Sequence, residues 1–577
     1  MILQLLGLLA LAYFAWSLVA LEINYRRASA MGIPLVRLYI DPQNLLWMVC
    51  EPIIWPWLDR LPINWNNYSF GRYSRRGWYF ADRGKSHQLY GSVWAIVSPR
   101  HIYINVADPE AIHDIFQRRM DFIRPSEMYK VLEVYGPCIS TASWTDWPRH
   151  RKVLATPFNE GIMSFVWDES VEQTRQMLNV WLPLSHSDHQ IPSVAKDTRT
   201  LSLNVLAATG FRKSFPFHGS ANNESSSRGQ PGQIVHESDQ NESVGYRDAL
   251  QMVLDNCILL MVMPRRWLTL PFVPNSWRRL GTAAADFQQY MVQMLDEEIK
   301  ALNTGKPGTG GLMTSFVRAM DLQQKEDIQG KPDLKTLPLK GLTIDEIFGN
   351  IFVINFAGHD TTANTLSFAL LLLAAYPEVQ DWVAGELQAL SDDIKGHYAD
   401  IFPRLSRCRA VMLETLRLFP PILSLPKWTS DKPQLLSVGD RNIMIPSKVG
   451  VHPSLLTMHI HPQYWEDPMT WKPSRWIQIH PTATLNSNEQ IVTPPRCTYF
   501  PWSAGPQNCP GNKFSQVEFV AVMASLLRSH RVYAIPNLGE TTQETRARVL
   551  ATTRNVDMQL LLRMKDADQV RLMCRRA

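Results

Sequence analysis

The sequence predicts a mainly α fold with small β-sheets, an α+β arrangement in one large domain behind an apolar N-terminal helix. Three observations carry that reading. Ile2 to Leu21 contain no charged side chain. From about residue 87 two β-like runs, LYGSVWAIVS and HIYINVAD, precede mostly helical patterns. The longest helical pattern opens at Thr343-Ile344-Asp345-Glu346, which fits a capping box, and runs to about Ala375 before Pro377 ends it.

Taken in order, the first element is the apolar run. A helix of that length spans about 30 Å, one bilayer core. A cleaved signal peptide has a basic start and a shorter apolar stretch. Here the basic pair, Arg26 and Arg27, follows the run. Residues 1–25 therefore read as a single-pass signal anchor, and the positive-inside bias places the rest in the cytosol. Residues 26–60 are rich in Pro and Trp and read as a connector touching the membrane surface. Residues 61–577 read as one catalytic domain, with a polar stretch at 218–245 expected to be a mobile loop.

Composition removes several function classes. The chain has 577 residues, 45% hydrophobic and 19% charged, and a formal net charge of +5. That charge is too small and dispersed for a nucleic-acid binder. Its seven cysteines stand at 50, 138, 257, 408, 497, 509 and 574, with no C-x-x-C. The pattern suits a reducing compartment and argues against a disulfide framework or a cysteine-rich zinc site.

Five short motifs carry chemistry. Trp147-Pro148-Arg149-His150-Arg151 puts Trp147 and Arg151 one helical turn apart, with Pro148 suited to a first turn; this suggests an anionic ligand, against a solvated basic helix end. Ala357-Gly358-His359-Asp360-Thr361-Thr362 sets Gly and polar groups in the middle of the long helix, where they cost stability unless a groove or water is accommodated. The bland alternative is a kink with a satisfied Asp. Glu414 and Arg417, three apart, share a helix face, and Arg475 in Trp471-Lys472-Pro473-Ser474-Arg475-Trp476 would want Glu414 as partner. Surface E-x-x-R pairs are common, so this motif is weak alone.

The fifth motif is Trp502-Ser503-Ala504-Gly505-Pro506-Gln507-Asn508-Cys509-Pro510-Gly511, which opens a helix reading NKFSQVEFVAVMASLL. A thiol at a helix N-terminus is expected to ionise readily. Gly505 and Gly511 let backbone approach something bulky, and Trp502 and Phe500 form an apolar wall. A cysteine nucleophile needs a general base, which no local pattern supplies. A single thiolate suits a metal that brings most of its own ligands, as haem does.

In this order and spacing the five motifs resemble the cytochrome P-450 haem-thiolate monooxygenases over roughly residues 60–560, most closely membrane-anchored eukaryotic members of fungal type. The resemblance implies the cytochrome P-450 fold, heme as cofactor and Cys509 as axial iron ligand. It implies that Trp147 and Arg151, assisted by His150, hold the haem propionates, and that Glu414, Arg417 and Arg475 form a buried charge network. Ala357 and Gly358 would open a groove for dioxygen, and Asp360 and Thr361 would deliver protons there. Phe352, Asn355 and Phe356, with Ile422, Ser424 and Leu425, would line a substrate pocket; the same residues read equally well as core. Two departures stand out. The chain has Trp502 where the family usually has Phe, adding an indole N–H near the sulfur, and Gln507 where it usually has a basic residue. Gln507→Arg is therefore expected to tighten haem retention.

The implied function is insertion of one oxygen atom into a lipophilic molecule, in secondary metabolism, at the endoplasmic reticulum membrane. No flavin or dinucleotide fingerprint is present, so electrons would come from a separate NADPH–cytochrome P-450 reductase, with cytochrome b5 as a further partner. Three alternatives stay open here: a haem-thiolate isomerase or dehydratase not using dioxygen, a zinc hydrolase using His452, His459 and His461, and a non-catalytic haem-binding membrane protein.

Overall fold

The computed structural model describes residues 2–577 except 157, 183–189, 213, 221–241, 306–309, 321–340, 389, 391–393, 480–488 and 559. The expected mobile loop at 218–245 falls largely outside the described residues.

Helices dominate, with one mixed six-stranded sheet. Its strands are β1 (Leu35–Arg37), β2 (Val93–Val97), β3 (Ile102–Val106), β4 (Phe122–Ile123), β5 (Lys427–Thr429) and β8 (Gly450–Pro453), in the order β1-β2-β3-β8-β5-β4. The hairpin of β6 (Gln434–Val438) and β7 (Arg441–Ile445) stands apart. The β-like runs read from the sequence are β2 and β3, which pair antiparallel and are buried along their length.

The central helix, Ile344–Ala375, has Thr343 as N-cap in a complete capping box with Glu346. It runs through two apolar cores. Ile347 to Phe356 pack with the Asn275–Asn303 and Glu242–Asp255 helices. Leu366 to Ala375 pack with the Glu160–Trp181, Val194–Phe211 and Asn512–Leu527 helices. The polar interruption from Ala357 to Thr362 sits at the seam between these cores, where Gly358, Asp360 and Thr361 stay half-buried and Thr362 and His359 are buried.

The N-terminal helix spans Ile2–Ser29. Leu21 and Ala28 pack on the sheet, and Asn24 donates to the carbonyls of Ser98 and Pro99 at 3.0 and 3.1 Å. Its outer half exposes Leu8, Leu11, Phe14, Trp16 and Val19. Among the described residues no helix is long and apolar enough to cross a membrane, so the anchor expected at residues 1–25 is not supported there.

The stretch expected to be a connector is folded. Leu35–Arg37 joins the sheet beside β2, and Leu45–Leu58 is a helix capped by Asn44 despite Pro52 and Pro56 inside it. Its inner face is held by Trp47, whose indole N–H donates to Ser74 O at 2.9 Å, and by Trp55 against Phe70 and Trp65. Pro and Trp suggested a linker; aromatic packing offsets the lost helical hydrogen bonds.

Candidate active site

Cys509 lies in a tight turn before the Asn512–Leu527 helix. The turn is closed by Cys509 N donating to Trp502 O at 2.8 Å and Asn508 N donating to Gly505 O at 3.2 Å. Gly505 has φ +69°, and a Cβ there would meet Phe116 O at 2.9 Å, so glycine is required on both counts. The turn is anchored from behind, where Phe500 N–H donates to His459 Nε2 at 2.9 Å.

Cys509 has accessible surface, yet burial raises its thiol pKa, against the Gly511 N–H and the Arg151 charge, which lower it. The thiol is thus desolvated by the groups around it although the residue keeps accessible surface. This corrects the expectation of a readily ionised thiol: the helix end acts in the expected direction, and desolvation outweighs it. An iron ligand bond would supply the missing stabilisation of the thiolate.

On the central helix Ala357 is exposed although its neighbours Phe356, His359 and Thr362 are buried. Thr361 lies one turn on, on the same face, and its Oγ1 donates to Ala357 O at 2.8 Å. The 3.6-residue period sets Asn355 and Phe352 well around the helix from that face. Both are buried: Phe352 stacks on Phe356 and contacts Tyr135, and Asn355 Nδ2 donates to Ile351 O at 2.8 Å. The structure thus places Phe352, Asn355 and Phe356 in the core rather than in a pocket wall. Gly358 faces the Val194–Phe211 helix; a Cβ on it would meet Leu206 Cδ2 at 3.0 Å, so it serves helix approach rather than opening the groove. Ile422 is exposed, Leu425 packs against the sheet core, and Ser424 Oγ lies 3.4 Å from His452 Nδ1.

Asp360 is held by Arg199 on the Val194–Phe211 helix, Nε to Oδ1 at 2.8 Å. Arg199 also reaches Asp255 at 2.8 Å, and His359 Nε2 stands 3.3 Å from Asp360. Burial pulls the Arg199 pKa down, and the two aspartates more than offset it.

The propionate side departs from expectation in one respect. Trp147 is buried, and Arg151 donates to Asn508 O and Oδ1 at 3.0 and 2.7 Å, beside the cysteine. His150 points elsewhere: its Nδ1 lies 3.0 Å from Asn350 Nδ2 and its Nε2 3.3 Å from Glu346, one helical face away from Arg151. Two cations missed in the sequence join Arg151 instead. Lys427 on β5 donates to Gln507 Oε1 at 2.7 Å, and burial and then Arg124 lower its pKa to about 7. Arg124 is itself lowered by burial, with Arg151 adding repulsion. None of the three has an ion-pair partner among the described residues. One buried and two half-buried cations, with no carboxylate paired to them among the described residues, make a site for an anion, and two propionates fit it. The sequence signal was a lone cation inside apolar stretches, in PPILSLPKW and DFIRPS.

Behind the turn, Glu414 and Arg417 are fully buried and bidentate at 2.8 and 2.9 Å. Arg475 Nε, Trp476 Nε1 and Lys472 N also donate to Glu414, at 3.0, 2.9 and 2.8 Å. Arg417 spends its other donors on the carbonyls of His459, Pro468 and Thr470.

The profile of the family described as Cytochrome P450 matches residues 56–560. The chain belongs to the cytochrome P450 family. It is a monooxygenase of that family and a haem protein. A cytochrome P450 monooxygenase of Arthrobotrys oligospora is 27% identical, over 98% of each chain. One from the phomenoic acid biosynthesis cluster of Leptosphaeria maculans is 26% identical, over 92% of each. The heme domain of cytochrome P450DA shares the P450 fold at a TM-score of 0.61 and 16% identity, covering 87% of this chain and 93% of its own. The zinc-hydrolase alternative falls with this assignment. His459 ends a short helix instead of lying on a strand, His452 bonds Tyr79 at 3.0 Å, and His461 is at the surface; no metal-holding cluster of His, Cys, Asp and Glu occurs among the described residues.

Proposed function

We propose that this P450 inserts one oxygen atom from dioxygen into a lipophilic small molecule in secondary-metabolite biosynthesis. Electrons come from an NADPH–cytochrome P-450 reductase, with cytochrome b5 as a further donor. The observation that carries the reading is the Cys509 turn, on which Arg151 and Lys427 converge without an ion-pair partner among the described residues, together with the exposed Ala357 on the central helix. Haem, when bound, supplies the activation of dioxygen. The chain supplies the rest. Cys509 offers the sulfur ligand, and Arg151, Arg124 and Lys427 neutralise the propionates and orient the ring. Because the Thr361 hydroxyl gives its proton to Ala357 O, its lone pairs are free to hold a water; Asp360, once released from Arg199, would take a proton from solvent and pass it to that water.

Secondary metabolism is supported by the biosynthetic-cluster relative. We also place the protein on the endoplasmic reticulum membrane, catalytic domain in the cytosol. The support is the uncharged run Ile2–Leu21, followed by Arg26 and Arg27, and an exposed stripe of Leu46, Val49, Ile53 and Trp57 on the Leu45–Leu58 helix.

The test is a reductase-equipped host fed candidate lipophiles. Oxygen consumption coupled to an oxygenated product, together with the thiolate-type band of the reduced carbon monoxide complex, is expected. Product formation without oxygen uptake would establish the isomerase reading, and haem binding without turnover on any lipophile the non-catalytic one. Carbonate-resistant sedimentation with microsomes tests the membrane assignment.

A further inference from the structure

Trp502 is tied to the ligand turn through its backbone, because Trp502 O accepts the Cys509 N–H at 2.8 Å, and its indole brings a further N–H donor to the same turn. The Gly511 N–H already points at the sulfur. A second N–H on the same sulfur would withdraw electron density from it, and hydrogen bonds to a ligating sulfur raise the reduction potential of the iron it holds. The structure directs the indole elsewhere. Trp502 Nε1 donates to Ser515 Oγ at 3.1 Å. Ser515 is one turn into the Asn512–Leu527 helix, and its own hydroxyl donates to Asn512 O at 2.9 Å. A serine hydroxyl has one proton. With that proton committed to Asn512, only lone pairs face the indole, so Ser515 is fixed as an acceptor.

We infer that Ser515 is a positioning residue that holds the Trp502 indole N–H off the Cys509 sulfur, and so preserves the donor strength of the sulfur toward haem iron. The inference rests on Cys509 being the iron ligand, as proposed above. It also explains how the chain carries Trp at position 502 without the cost of an extra donor on the ligand.

The test uses the full-length haem-loaded protein and reads the iron midpoint potential, the iron–sulfur stretching frequency and the Soret position of the reduced carbon monoxide complex. Trp502→Phe is expected to leave all three at the parental values. Ser515→Ala is expected to move the potential positive, weaken the iron–sulfur stretch and shift the Soret band toward that of a thiol-ligated form. Trp502→Phe/Ser515→Ala is expected to return all three to parental values, and Ser515→Thr, which keeps the hydroxyl, to leave them unmoved. A negative shift of the potential in Trp502→Phe would overturn the inference, because it would show the indole already on the sulfur. Parental readings in folded, haem-replete Ser515→Ala would overturn it too. Should Ser515→Ala fail to hold haem, Ser515→Val, which also lacks the acceptor, carries the same readouts and the same two outcomes. Failure of the ligand assignment itself looks different: the parent protein would then lack the thiolate-type band.

Discussion

Lys427 donates to the side-chain oxygen of Gln507 at 2.7 Å, two residues before Cys509. The basic group missing at position 507 is thus delivered from β5. This changes the expectation for Gln507→Arg. An arginine there would remove the acceptor of Lys427 and add a second neighbouring cation to a lysine already depressed by burial and by Arg124. We expect no gain in haem retention from Gln507→Arg. Lys427→Met should speed haem loss about tenfold, the worth of one charge-assisted hydrogen bond of roughly 1.5 kcal/mol. Haem transfer to an apomyoglobin acceptor measures both.

The same lysine links haem affinity to pH. In the apo form its pKa is near 7. Propionate binding favours the charged form, so above that pH haem binding takes up a proton and affinity falls with rising pH. Cys509 acts oppositely, since its raised pKa means that ligation releases a proton. Lys427→Arg removes only the first effect. Its haem affinity should therefore climb more steeply between pH 7 and 9 than that of the parent, as read by titration of apoprotein with haemin. Parallel pH profiles would show that Lys427 does not face the propionates.

Glu414 accepts hydrogen bonds from four residues in a site sealed from water. Glu414→Ala leaves Arg417 charged, buried and without its counter-ion, a loss of about 3–5 kcal/mol. Arg475→Ala should cost less, because its guanidinium lies at the rim of the network and its other contacts are to backbone carbonyls. Thermal melts should rank the two in that order.

Glu518 sits in the Asn512–Leu527 helix, fully buried near Ser202, and neither carboxyl oxygen has a well-formed partner among the described residues. Burial raises its pKa to about 8. A carboxyl whose folded pKa exceeds its unfolded one contributes stability below pH 4.5 that is lost as pH rises toward 8. The loss is on the order of 1.4 kcal/mol per pH unit across that window. Glu518→Gln should flatten this dependence, matching the parent near pH 4.5 and exceeding its melting temperature at pH 8.

What the sequence disclosed was whatever rests on local pattern. The capping box at Thr343, the break at Pro377, the E-x-x-R pair and the turn at Cys509 are all set by residues within one or two helical turns of one another. What it hid depends on rotation and on distant chain. His150 adjoins Arg151 in sequence but faces Glu346, and Asn355 lies near Ala357 in sequence but on another side of the helix. Lys427 reaches the cysteine turn, and Arg124 comes beside Lys427, only through the pairing of β4 with β5, which no local spacing announces. The Leu45–Leu58 helix was obscured by its prolines, and its packing partners lie beyond it in the chain.

Asp360 is the residue whose neighbours most constrain its chemistry. It shares Arg199 with Asp255, which ends the Glu242–Asp255 helix, so its carboxylate is released only if Arg199 can lean on Asp255 alone. Asp360→Asn should slow reductase-driven, substrate-coupled oxygen consumption by about a hundredfold, in the range of a lost proton-transfer group, and raise its solvent isotope effect, with the haem spectrum unchanged. Arg199→Gln leaves two carboxylates without their shared cation. It should lower stability by about 1–2 kcal/mol, since the cluster is partly open to solvent and screened accordingly, while haem content stays parental. If Asp360→Asn turned over at the parental rate but melted as early as Arg199→Gln, Asp360 would be an ion-pair residue only, and Thr361 would have to draw its protons directly from water in the cleft.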